Sequence, residues 1–229
     1  MNGTICQLCE QGVPVTMVYA TSGDAGLDVS GNKRSGDVLA AEREKEVSKA
    51  IQILGVKNPP VFLHLKDGHL PASRNLLVQK ISEALAKIQP DVVITFGPEG
   101  ATGHPDHIAV FDATGVAFDE QKSCKALLHL AVSDKRKTAL EKCSNVSYVE
   151  HFFSEDDSND SVNIVVDSSK FRQKRIDSFF CYDTQFNQNY RSAWVKFTEA
   201  YPYEEFIIAR LKGKLSNVAS INDLFANKL

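Results

Sequence analysis

The stretch "DVVITFG", residues 91–97, decides the fold class. It is an apolar run that is too short for a typical helix and rich in β-branched residues, as in a parallel strand buried on both faces. Four further β-rich runs lie at 13–21, 60–65, 126–132 and 162–167. Helical patterns separate most of these runs, and strands that alternate with helices predict a parallel sheet covered by helices.

The helical patterns flank the strands on both sides of this stretch. Residues 5–12 resemble the end of a helix, residues 38–55 a helix stopped by Gly55, and a further helix opens at Pro105. The run 72–89 carries an apolar face with helical spacing, formed by Leu77, Ile81, Leu85 and Ile88. We therefore predict one α/β domain over residues 1–229, with a Rossmann-like, doubly wound and mostly parallel sheet.

Composition excludes several classes of protein. The 229 residues carry a formal net charge of -3, so we expect no nucleic-acid partner. No apolar run approaches the roughly 20 residues needed to cross a bilayer, and residues 1–32 lack the Lys or Arg of a secretory signal. Five cysteines without framework spacing indicate reduced thiols and a cytoplasmic location. A homo-oligomer is left open.

Two histidines stand out in "GPEGATGHPDH", residues 97–107. The stretch follows the carboxyl end of a predicted strand, which is the edge where α/β sheets bind ligands. Pro105 suits the first helical position, so His104 lies near the N-cap and His107 one turn on, and both can face one crevice. The spacing fits a metal or catalytic site. It fits equally two histidines at the start of a helix without a chemical role.

The segment "GPEGATGHPDHIAV" (97–110) resembles a motif of the PIG-L/LmbE family of zinc-dependent N-acetylglucosaminyl deacetylases. The likeness extends to five other segments, at 2–26, 39–56, 65–68, 174–186 and 203–206. The resemblance implies an LmbE-like fold and hydrolytic removal of an N-acetyl group by a metal-activated water. The implied substrate is a small N-acetylglucosamine-containing conjugate.

The resemblance also implies roles for single residues. His107 matches the family's zinc ligand in this motif, and His104 the histidine that stabilises the oxyanion. Arg43 and Asp67 match positions that hold the substrate. Asp106 is expected to orient its neighbours, and Tyr182 stands where many members carry a histidine.

The family's other Zn²⁺ ligands and its base come from an Ala-His-Pro-Asp-Asp-Glu motif that would precede residue 1. We therefore expect an amino-terminal truncation that lacks the first strand, with residues 14–20 and 91–96 as the neighbours of the gap. With His107 as its one strong ligand, the chain as written is not expected to hold zinc stoichiometrically. Two functions stay open: an N-deacetylase in the complete protein, or a non-catalytic sugar-conjugate binding relative without the metal.

Overall fold

The computed structural model describes residues 1–143, 162–213 and 218–225 of the chain. Its helices are α1 (Asn2–Glu10), α2 (Gly36–Leu54), α3 (Arg74–Ile88), α4 (Pro105–Glu120), α5 (Asp134–Cys143), α6 (Arg172–Phe180) and α7 (Gln188–Ala200). Its strands are β1 (Val18–Tyr19), β2 (Val61–Phe62), β3 (Val92–Thr95), β4 (Ala126–Leu130), β5 (Ile164–Asp167) and β6 (Tyr203–Leu211). None of the helices within these described ranges is long and apolar enough to cross a membrane.

The described residues form two compact units. The first contains residues 1–69, 139–143 and 167–202, and the second contains residues 70–138, 162–166, 203–213 and 218–225. Most elements fall wholly inside one unit, whereas α5 and β5 contribute residues to both. The single domain that we expected over residues 1–229 stays a prediction.

The first unit is built on a short parallel pair of strands. β1 pairs with β2 through the register Val18 to Val61 and Tyr19 to Phe62. Its hydrophobic core joins α1 and α2 through Ile5, Cys6, Val47, Ile51, Leu54, Val56 and Phe171. Apolar side chains from successive turns of two helices thus cover the sheet, which is the burial that makes an amphipathic helix stable in a protein.

The second unit contains a four-stranded sheet in the order β3-β4-β6-β5. β3 and β4 are parallel, and β6 runs antiparallel to β4. β4 is the apolar centre of this sheet, since Ala126, Leu127 and Leu128 are almost completely buried. α3 buries a face formed by Leu77, Ile81 and Leu85. This helix packs on α4.

The α/β class and the mostly parallel strand pairing are confirmed. α2 ends at Leu54, with Gly55 as a left-handed C-cap, and α4 begins at Pro105, both as predicted. The strands are shorter than the β-rich runs, because only part of each run pairs with a neighbouring strand. The runs 13–21 and 60–65 pair with each other over two residues each.

Candidate active site

The loop between β3 and α4 bends back onto the first turn of the helix. Gly100, Ala101 and Gly103 all have left-handed backbone conformations, with φ of 66°, 60° and 68°. A Cβ atom on Gly100 would lie 2.9 Å from Cβ of His107 and 3.0 Å from the backbone N of Ile108. Only a glycine can bring the loop so close, and this approach places the Gly100 carbonyl beside the imidazole of His107.

His107 is held in one orientation and one tautomer. Its Nδ1 lies 2.9 Å from the carbonyl oxygen of Gly100 and 3.1 Å from Oγ1 of Thr102. A carbonyl oxygen can only accept, so Nδ1 carries the proton and Nε2 of the neutral ring presents a lone pair. Phe96 stacks on the ring at 4.3 Å with an interplanar angle of 6°. This is how proteins prepare a histidine to bind a metal ion.

His104 is held in the opposite tautomer. It is the N-cap of α4, and its Nδ1 accepts a hydrogen bond of 3.2 Å from the backbone N–H of Asp106. The neutral ring must therefore carry its proton on Nε2. The ring centroids of His104 and His107 are 5.1 Å apart. The pair thus places an N–H donor beside a nitrogen lone pair.

Asp106 contributes to the position of this pair. It is 4% exposed, and its Oδ1 accepts a hydrogen bond of 3.1 Å from the backbone N–H of Leu70. A carboxylate in the first turn of a helix is also stabilised by the helix dipole. The carboxylate therefore fixes the start of α4 to the segment that leads into α3.

The described residues do not by themselves fit a catalytic zinc site. Such sites use three protein ligands, and His107 offers one through Nε2. Within residues 1–143, 162–213 and 218–225, no group of three or more His, Cys, Asp or Glu side chains converges in a way that could hold a metal ion.

Arg43 holds a glycine-rich loop in the first unit. Its Nη1 donates to the carbonyl oxygen of Gly23 at 2.7 Å and its Nη2 to that of Leu27 at 3.0 Å. Cβ atoms on Gly23 or Gly26 would lie 2.5 Å and 2.4 Å from Nη1, so both glycines make room for the guanidinium. Burial lowers the pKa of Arg43, and the charge of Asp67 is the largest opposing influence.

Arg43 is joined to a buried hydrogen-bond network that the sequence analysis did not predict. Nε of Arg43 donates to Oγ1 of Thr184 at 3.3 Å. Glu46 accepts from the backbone N–H of Thr184 at 2.7 Å and from its hydroxyl at 2.8 Å. Thr184 and Glu46 are 1% and 4% exposed. Glu46 follows Arg43 by three positions on a helix, which was the one signal that could have pointed to it.

Asp67 is hydrogen-bonded to the segment that follows β1. Its Oδ1 accepts a hydrogen bond of 3.0 Å from the hydroxyl of Thr21, and its backbone N–H donates to Asp24 at 3.3 Å. Asp67 and Arg43 are thus both bonded to the segment that follows β1. The structure places Arg43 and Asp67 in the first unit, and His104 and His107 in the second.

Tyr182 forms a partly buried pair with Tyr19. The two phenols are hydrogen-bonded, and burial raises the pKa of Tyr19 to about 12 and that of Tyr182 still further. Tyr19 also stacks on Phe62 at 5.3 Å. In this protein the position that the resemblance associates with a histidine therefore contributes to packing beside β1.

The sequence matches a known family over its first half. Residues 1–118 match the family described as PIG-L, GlcNAc-PI de-N-acetylase. The match covers more than half of the chain, which therefore belongs to this family.

Two curated relatives illustrate the similarity. The chain is 28% identical over 164 residues to a 1D-myo-inositol 2-acetamido-2-deoxy-alpha-D-glucopyranoside deacetylase of Corynebacterium glutamicum, a match that covers 59% of this chain and 52% of the relative. It is 29% identical over 156 residues to a probable N-acetyl-alpha-D-glucosaminyl L-malate deacetylase of Bacillus cereus, covering 66% of this chain and 70% of the relative. The chain spans about half the length of the inositol-glycoside deacetylases that it matches.

A solved structure shares the fold. The N,N'-diacetylchitobiose deacetylase from Pyrococcus horikoshii superposes with a TM-score of 0.66 and 22% sequence identity. The superposition covers 91% of this chain and 77% of that chain. This likeness supports the LmbE-like α/β fold that was predicted.

Proposed function

We propose that the complete protein is an N-deacetylase of an N-acetylglucosamine-containing conjugate, with Zn²⁺ ligands beyond those that the described residues supply. Family membership supports the reaction class. The compounds in the names of the two curated relatives share an N-acetyl-α-D-glucosaminide group and differ in the aglycone. The proposed substrate is therefore defined by the acetamido sugar. In the reaction water adds to the amide carbonyl, the C–N bond breaks, and acetate and the free amine leave.

The observation that carries the proposal is the pair of hydrogen-bond contacts at the start of α4, Asp106 N–H to Nδ1 of His104 and Nδ1 of His107 to the Gly100 carbonyl, which imply opposite tautomers for the two rings. In the proposed reaction, the Nε2–H of His104 donates to the carbonyl oxygen of the substrate as negative charge develops there. The Nε2 lone pair of His107, whose Nδ1–H is held by Gly100, is the proposed ligand for Zn²⁺. Arg43 and Asp67 are proposed to shape the sugar-binding loop, Arg43 through the carbonyl groups that it holds.

Acetate release tests the proposal. A form of the protein that also carries the family's Ala-His-Pro-Asp-Asp-Glu motif, supplied with Zn²⁺, is incubated with the N-acetylglucosaminides of myo-inositol and L-malate and with N,N'-diacetylchitobiose. We expect acetate and an equal amount of free amine from at least one of them, and none after His107→Ala. If none of the three substrates releases acetate while all of them bind, the non-catalytic sugar-conjugate binding protein becomes the better account.

We also propose a cytoplasmic location. None of the five cysteines, all within the described residues, is part of a disulfide, and cysteines without disulfides are typical of a reducing compartment. Fractionation of cells that express the tagged protein checks this.

A further inference from the structure

The carboxyl end of β2 contains one residue more than the chain beside it. Leu63 donates its backbone N–H to the carbonyl oxygen of Tyr19 at 2.8 Å. In a regular parallel ladder the next donor, Leu65, would bond two residues further along the neighbouring chain. Its N–H bonds instead to Ala20 at 3.0 Å, one residue beyond Tyr19. The end of β2 therefore bulges at His64, and bulges are common beside functional sites.

His64 has a backbone conformation that is unfavourable for its residue type. Its φ of 52° lies in the left-handed region, which glycine adopts freely and a residue with a Cβ atom does not. If closing the bulge were the whole task of this position, glycine would be the more stable choice. Such strain persists where the surrounding structure holds it, and it is concentrated at functional sites. The conformation therefore points to a role for the imidazole itself.

Contacts on two sides hold this imidazole. The ring stacks on Phe62 at 5.9 Å with an interplanar angle of 29°, and its Nδ1 lies 3.4 Å from Oε1 of Glu44 on α2. A carboxylate can only accept, so the contact is favourable when Nδ1 carries a proton. The same Glu44 oxygen accepts a hydrogen bond of 2.5 Å from the hydroxyl of Ser22. His64, Glu44 and Ser22, named here the imidazole cluster, thus join three segments of the first unit.

The imidazole cluster adjoins both side chains that are proposed to shape the sugar-binding loop. Glu44 follows Arg43 on α2. Ser22 follows Thr21, whose hydroxyl donates to Asp67 at 3.0 Å. A contact that holds the end of β2 against Glu44 therefore also fixes where the segment 65–69 starts, relative to the helix that carries Arg43.

We propose that His64 is a positioning residue for Asp67. Its ring, held by Glu44, keeps the bulge in the conformation that brings Asp67 to the Thr21 hydroxyl and the Asp67 N–H to Asp24. Glycine at position 64 would preserve the bulge and relieve the strain, but it would leave the segment 65–69 without this contact to α2. The position of Asp67 follows from the contacts alone, whereas its importance for the reaction rests on the proposed function.

Amide hydrogen exchange, measured by NMR, separates positioning from stability. His64→Gly should unfold at a midpoint no lower than that of the unaltered protein, because a partly exposed contact contributes little and the left-handed strain is relieved. The amide of Asp67, which donates to Asp24 at 3.3 Å, should nevertheless exchange faster. We expect an increase of about tenfold, because the segment opens locally more often.

His64→Asn is the rescuing variant. Asparagine tolerates the left-handed region, and its amide N–H can donate to Glu44 in place of Nδ1, so Asp67 should exchange at the rate of the unaltered protein. Lys66→Ala is the matched control and should also leave this rate unchanged, because Lys66 is exposed in the same segment and its backbone bond to His69 is kept.

Three results would overturn the proposal. They are an unchanged rate at Asp67 in His64→Gly, equal rates in His64→Gly and His64→Asn, and faster exchange throughout the first unit in place of a local change. None of them depends on acetate release, so this proposal and the proposed function fail separately.

Discussion

His104 has two roles in the structure, and a single substitution can separate them. As the N-cap of α4 its Nδ1 satisfies the backbone N–H of Asp106, while its Nε2–H is proposed to face the substrate carbonyl. Asparagine is a good N-cap residue but has no group at the position of Nε2.

We therefore predict different results for two variants of His104. His104→Ala should lose about 1 kcal/mol of stability with the cap, whereas His104→Asn should keep the stability of the unaltered protein. Both should lose acetate release by about 10²- to 10³-fold, as expected when one oxyanion donor is removed. Urea unfolding and acetate assays check this, and normal turnover in His104→Asn would reduce His104 to a capping residue.

The hydroxyl of Thr184 joins Arg43 to Glu46, so its removal should be costly. Thr184→Val leaves a buried Glu46 oxygen and Nε of Arg43 each without this partner, and we expect a loss of about 1–3 kcal/mol. Thr198→Val is the control, since Thr198 is equally buried but donates to the carbonyl of Val195 within its own helix. Equal unfolding midpoints for the two variants would contradict the role of the network.

At the scale of elements, the loop between β3 and α4 depends on one close approach. Gly100 and Gly103 share the left-handed backbone, but a Cβ atom on Gly103 would meet no described atom within 4 Å. Gly100→Ala adds a clash with the first turn of α4, whereas Gly103→Ala adds backbone strain alone.

This difference predicts the order of stability of the two glycine variants. Gly103→Ala should cost about 1 kcal/mol, as a left-handed residue does, and Gly100→Ala about 1–3 kcal/mol more because the clash displaces the helix start. Thermal unfolding of the two proteins gives the comparison. Equal losses would mean that the loop can move away from His107 without cost.

Strand β3 is the edge of its sheet, whereas β4 has partners on both sides. Its residues Val92–Thr95 are only half buried, although the sequence is that of an interior strand. We predict that hydrogen exchange is much slower at Leu127 and Leu128 than at the amides of β3 that point away from β4. Equal protection of the two strands would contradict the position of β3 at the edge of the sheet that the described residues form.

Local patterns predicted elements but not long-range partners. The stop of α2 at Gly55, the start of α4 at Pro105 and the buried face of α3 follow from helix signals within a few residues. The antiparallel insertion of β6 beside β4 and the contact of Glu46 with Thr184, 138 positions apart, do not. Such contacts depend on how distant segments of the chain come together, which the local periodicity of apolar residues does not predict.

At the scale of the whole molecule, the fold alone leaves the chemistry open, because one fold supports many reactions. The function proposed here depends on the start of α4, where the hydrogen-bond contacts of two histidine rings imply opposite tautomers. The spacing of His104 and His107 could be read from the sequence. Their tautomers could not, because they are set by Gly100 and by a cap geometry that appears only in three dimensions.

Long-range ¹H–¹⁵N correlation of the imidazole rings at alkaline pH tests this claim most directly. We predict that His104 carries its proton on Nε2 and His107 on Nδ1, with His104→Asn and His107→Ala used to assign the signals. The same tautomer in both rings, or the two tautomers exchanged, would contradict the donor and lone-pair arrangement on which the proposed function rests.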